Sequence, residues 1–307
     1  MELLLGSNGG TMQYNLKIGN SIIKVANQVR LVSGLPDIPP YTMRFQFDDG
    51  FDPNSLLTDS TEYIGTWTHV AGSVWDFTYQ NERWYAYGWN STGNYRFLYS
   101  VLSIKSKEII SDDLYQYNDS TSSLFGYNAK VLGANLTGVR YLTKTFYNWG
   151  PLKSIAYFDT SMLYNASELI ANSNVSRIQQ VEYIPDFNFS SITDEELTWN
   201  GNSMASSASA KKGLGSFAFS SRGSGRYSIL KAVPNLTIPI NSNVTVDNMF
   251  YGQYNVESGA LALYNKFATA NWQGSHISTF TNCGATTTTG AAELAQIPTT
   301  WGGTMSA

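Results

Sequence analysis

The sequence has one cysteine, Cys283, two histidines, His69 and His276, and only 14% charged residues. A lone cysteine excludes an internal disulfide and a thiolate metal cluster, and is expected to be a buried or half-buried small side chain. No apolar run approaches the roughly 18 residues of a membrane helix, so membrane insertion is not expected. The opening MELLLGSNGG has neither the basic start nor the longer apolar stretch of a signal peptide. Net charge is −4 with no Lys/Arg stripe, which argues against a nucleic-acid partner. These absences predict a soluble chain made in the cytoplasm.

In place of charge stand Asn, Ser, Thr, Gly and 20 tyrosines. Such a surface is polar without being charged. It suits chains that pack against other chains, because few charges must be desolvated. Hydrophobic residues reach 42% of the 307, enough for a core, and the length is that of about two domains.

Residues 1–40 read as an attachment arm. Tyr14, Leu16 and Ile18 alternate with polar residues, Gly19-Asn20 signals a turn, and the pattern resumes at Ile22. A β-hairpin or extended arm is expected, able to add strands to a partner, and Tyr14, Leu16, Ile18 and Ile22 are its candidate docking residues. Pro36, Pro39 and Pro40 then make a stiff linker. Residues 41–110 read as a small β-sandwich-like domain. Tyr41, Met43, Phe45 and Phe47 share a face, further strands are expected at 66–70, 74–79, 84–89 and 95–104, and Gly and Asn punctuate them.

Residues 111–250 carry an internal repeat. Leu152-x-x-Ile155-x-x-Phe158-Asp159 recurs as Val181-x-x-Ile184-x-x-Phe187-Asn188, 29 residues on, and Asn135 precedes Asp159 by 24. A further copy starts at Leu230-x-x-Val233-x-x-Leu236. Periods of about 20–29 with fixed apolar offsets are those of a leucine-rich repeat. Asn135, Asp159 and Asn188 are then its turn residues, bonding backbone groups. Residues 200–226, rich in Ser and Gly, read as a loop inserted between the third and fourth copies, too poor in apolar residues to pack alone. Residues 251–307 read as a helical cap, with helices over Val256–Ala270 and Gly290–Ile297 stopped by Pro298.

Four segments, Tyr41–Phe47 with its Asp-Gly turn, Val131–Asn135, Ile155–Ser161 and Thr281–Pro298, together resemble BspA-like leucine-rich-repeat proteins of gut Bacteroidales and their crAss-like phages. The resemblance runs over about residues 41–307. It implies a small β-domain, a horseshoe of repeats and a helical end, used in adhesion and surface display and not in catalysis. An adhesin-like body without an export signal is what a phage virion protein would have, since virions assemble in the cytoplasm.

The expected fold is therefore mainly β, with an arm, a β-sandwich-like domain, a short irregular leucine-rich-repeat array and a helical cap. The expected role is structural, as a head fibre, capsid decoration or tail appendage on a virion surface. Its partners would be other virion proteins and itself, a trimer by analogy with phage fibres. The alternative is a cell-surface adhesin for a host protein or glycan, with Trp67, Trp75, Trp84 and Trp89 available to stack on sugars, against their reading as core. Asp48-Asp49-Gly50-Phe51-Asp52 could hold calcium, but lacks a closing glutamate and reads better as a hairpin turn. Cys283 and His276 are conceivable as nucleophile and base. The family's fold already accounts for that segment, so no catalytic residue, cofactor or metal is expected.

Overall fold

In a computed structural model of the chain, side chains are described for residues 35–54, 66–78, 128–136, 140–143, 145–146, 152–172, 180–196, 212–220, 229–240 and 243–305. Backbone alone is described for 2–8, 11–18, 21–25, 55–56, 65, 79, 87–90, 95–98, 198–199 and 202–203. The chain divides into two units, Met1–Asp37 and Ile38–Ala307, with the division inside the proline-rich linker. Strands dominate the regular structure, in several sheets, and two α-helices close the sequence.

The first unit is an antiparallel meander of β1 (Glu2–Asn8), β2 (Thr11–Ile18) and β3 (Ser21–Val25), in that order. The expected hairpin is β2–β3, with Ile18 opposite Ser21 across Gly19-Asn20. The added strand β1 was not legible, because Leu3-Leu4-Leu5 does not alternate. Cross-strand partners share a face. The register therefore puts Leu3, Leu5, Met12, Tyr14, Leu16, Ile18, Ile23 and Val25 on one face. Ile22 does not join them: it pairs with Lys17 on the other face, and Ile23 takes the place expected for it. A two-residue connection sets that parity, and a slip of one residue would reverse it.

In the second unit, β4 (Thr42–Phe47) pairs antiparallel with β6 (Val74–Tyr79), and β6 with β5 (Gly65–Ala71). Met43, Phe45, Phe47, Trp67 and Phe77 pack into one aromatic core, Trp67 meeting Phe77 edge to face at 4.8 Å. The opposite face of β4 is buried too. Arg44 lies between, its Nε and Nη2 donating to the two Asp76 oxygens at 2.6 and 2.7 Å. β7 (Tyr87–Asn90) and β8 (Tyr95–Leu98) form a separate hairpin.

These strands do not make a free-standing domain. The other edge of β4 pairs with β9 (Ala129–Asn135), and β9 pairs in parallel with β10 (Leu152–Ile155), giving one sheet in the order β10-β9-β4-β6-β5. The hairpin β5–β6 and β4 thus extend the first two strands of the repeated region. They cover the end of its apolar interior, as a stacked array requires.

Beyond β10 the chain keeps stacking with little regular strand. Parallel bridges join Tyr183 to Ala232 and Ala232 to Ser258 on the strand side. On the opposite side successive turns bond in register. Leu142, Ala166, Leu214 and Val246 each donate a backbone N–H to the turn that follows in the stack, at Asn165, Gly213, Thr245 and Ser275. A buried line of aromatic rings runs along the interior, Phe158–Phe187–Phe189–Phe217–Phe250–Phe280, with neighbouring centroids 4.9 to 6.3 Å apart.

The turns share an unusual backbone position. Glu168, Ser216, Asn248 and Ser278 all have φ between 52° and 56°. The first three donate in turn to Gly215, Asp247 and Ile277. The expected insertion differs from what is found. Residues 212–220 are no loop: Leu214, Phe217 and Ala218 are fully buried and supply the third turn of the stack. Their apolar residues are few but sit at the interior positions. The strand side of that level is residues 181–184, so the Ser-rich interval falls inside a repeat, not between two. β11 (Thr198–Trp199) and β12 (Asn202–Ser203) pair within it.

The C-terminal helices are α1 (Ala260–Thr269) and α2 (Thr288–Leu294). α2 is capped by Thr287, whose Oγ1 accepts from Gly290 N at 3.1 Å. α1 starts at Gly259, which has no side chain to cap it. Glu293 of α2 supplies the acceptor instead, taking Leu261 N at 3.1 Å. Beneath them Trp301 packs on Phe267, Tyr264 and His276. No helix among the described residues is long and apolar enough to cross a membrane.

Candidate functional site

Trp67 and Trp75 are 5% and 9% exposed, buried among Phe45, Phe47 and Phe77. They are core, and neither offers a face to a sugar. Trp84 lies outside the described residues, and of Trp89 only the backbone in β7 is described. The acidic run 48–52 is a turn. Phe51 N donates to Asp48 O, Gly50 has φ 81°, Asp52 Oδ1 accepts from Asn54 N, and Asp48 Oδ2 accepts from Asn128 Nδ2. Among the described residues no group of three or more His, Cys, Asp or Glu is placed to hold a metal.

Cys283 is fully buried. Burial first, and the Glu293 carboxylate second, push its thiol far above the ordinary range. Burial and the raised pKa make it a neutral packing group. His276 stacks on Trp301 at 4.0 Å, and its Nδ1 lies 2.8 Å from the Gly274 carbonyl.

Asp159 Oδ1 accepts from Ser161 N at 2.9 Å, and Asn188 Oδ1 from Ser190 N at 3.0 Å, the same turn 29 residues apart. Asn135 does something else: in β9, its Nδ2 donates to the Ile38 carbonyl at 3.0 Å, tying the linker to the sheet. Three carboxylates that tie one level of the stack to the next were not picked out in the sequence. Asp186 accepts from Asn235 N, Asp194 from Thr245 N and Oγ1, and Asp247 from Ile277 N and Ser275 Oγ. Single aspartates at irregular spacing carry no pattern to find them by.

The strand side presents two side chains per level between buried ones, as in Leu152-Lys153-Ser154-Ile155 and Val181-Glu182-Tyr183-Ile184. Lys153, Glu182, Lys231 and Glu257 alternate in sign along it. Lys153 bonds Gln180, and Lys231 Nζ is 3.6 Å from Glu257. Next to this row stand Tyr157 and Tyr183, 47% and 53% exposed. Partial burial, then the Asp159 carboxylate, raise the Tyr157 phenol above its ordinary value, so it stays a neutral hydroxyl.

No family model, no curated protein and no solved structure matches the chain.

Proposed function

We propose that the protein is a non-enzymatic structural component of a phage virion surface, as a head fibre, capsid decoration or tail appendage. Its N-terminal sheet docks on a neighbouring virion protein and its leucine-rich-repeat-like body is displayed. The observation that carries this reading is the register of the first unit, which collects eight apolar residues on one face of the sheet β1–β3. Units below about 40 residues usually need a disulfide, a metal or a partner chain to be stable. Residues 1–37 contain no cysteine and no histidine for a disulfide or a thiolate or imidazole metal site, and this reading assigns the cover of that face to a partner chain. Display is supported by the described turns of the body, where Asp159, Asn188, Asp186, Asp194 and Asp247 each accept a backbone N–H and so hold turns and levels together. Quantitative mass spectrometry of purified particles from the producing culture tests the reading. A fixed copy number per particle is expected, and absence from the particles refutes it.

A further inference from the structure

We infer that Tyr157 and Tyr183 form a contact site for a neutral oligosaccharide. Among the described residues, the exposed large apolar side chains include only two aromatics, and both lie on the strand side of adjacent levels. Tyr183 bridges in parallel to Ala232, a small neighbour, and is 53% exposed. Tyr157 tilts over the Phe187 ring at 6.1 Å, which fixes its orientation. The repeat aligns Tyr157 with Asp186 and then with Asn235, whose N–H bonds the Asp186 carboxylate. Tyr183 is thus one level and three residues away, about 11 Å for strand-like spacing. That is longer than one pyranose ring and within reach of a short oligosaccharide.

The surroundings select the ligand's chemistry. The exposed Asp159 and Asp186, with Asn188 and Asn235, put acceptors and amides around the rings. A sugar's C–H face suits the electron-rich face of a tyrosine, and its vicinal hydroxyls suit a carboxylate with free lone pairs. The row Lys153, Glu182, Lys231, Glu257 alternates in sign, so it offers no net field to a polyanion. A protein partner is disfavoured because Asp159, Asp186, Asn188 and Asn235, the described neighbours of the two rings, are polar and do not make a dry interface centre.

The inference gives the displayed body a ligand and so rests on the display reading, but its test involves no particle. The full chain is run in native gels containing mannan, starch, galactomannan or, as a polyanion, heparin. Retardation by at least one neutral polysaccharide is expected, lost in Tyr157→Ala/Tyr183→Ala and kept in Tyr157→Phe/Tyr183→Phe. Unchanged thermal unfolding of both variants shows that the fold is intact. Retardation by none, by heparin alone, or undiminished in the alanine variant overturns the inference; heparin alone would point to a polyanion and none to a protein partner.

Discussion

Phe189 and Phe217 meet edge to face with centroids 5.4 Å apart, although the whole Ser-rich interval 197–211 lies between them in sequence. The pair joins the strand side of one level to its turn side, and continues the aromatic line through Phe250 to Phe280. Phe217→Ala should therefore cost about 3–5 kcal/mol, as for any large ring removed from a close-packed interior. Urea unfolding measures it. A loss under 1 kcal/mol would mean that 212–220 does not pack in solution. Chymotrypsin should likewise leave the bonds after Leu214 and Phe217 uncut in the native protein.

The repeated backbone position predicts a contrast between two residues. Ser278 sits at φ 56°, so Ser278→Gly relieves strain about as much as it loosens the unfolded chain, and stability should change by less than about 1 kcal/mol. Gly252 has φ 72°, and an added Cβ would stand 2.2 Å from the Ser220 carbonyl oxygen of the preceding turn. Gly252→Ala should cost about 2 kcal/mol or more. Equal effects at the two positions would contradict the stacked-turn geometry.

Arg44 and Asp76 are 4% and 6% exposed and bonded through two N–H groups. Arg44→Met leaves a buried carboxylate without its guanidinium and should cost about 3–5 kcal/mol. Arg44→Met/Asp76→Leu should recover most of that. A double-mutant cycle with no coupling would show that the pair is not closed in solution.

Burial raises the Cys283 thiol pKa. The unfolded chain releases this proton above about pH 8.5 while the folded chain retains it. The folded state then binds more protons, so stability is full below that pH and falls as pH rises above it. Cys283→Ala should flatten the decline between pH 8 and 10 in urea titrations. An identical slope in both proteins would contradict the burial. A thiol reagent should modify Cys283 only on unfolding.

The legible parts of the fold were those with local periodicity. Met43, Phe45 and Phe47 alternate, and Val74–Tyr79 is bounded as expected because Gly72 marks its turn. The 29-residue match of Asp159 and Asn188 identifies a turn because both side chains do the same local job. What was hidden is non-local. Nothing in Thr42–Phe47 says that its second edge pairs with residues 129–135, which is why a separate domain was expected. The αL positions escaped notice because Glu168, Ser216, Asn248 and Ser278 are not glycines and lie at uneven intervals. Trp67 and Trp75 belong to a dense aromatic stretch whose favoured reading from sequence is core, where both lie. Tyr157 and Tyr183 look like any of 20 tyrosines until the levels are aligned.

On the proposed virion function, the sheet β1–β3 is what would hold the protein on a particle. The direct measurement is co-sedimentation of purified particles lacking the protein with the full chain or with residues 38–307. The full chain should pellet with particles to a saturating ratio. The shortened chain should keep its thermal transition and stay in the supernatant. Substituting Leu16→Asp and Ile23→Asp on the apolar face of the full chain should release it, whereas Ile22→Asp on the other face should not. Saturable pelleting of residues 38–307, at the ratio of the full chain, would contradict the account.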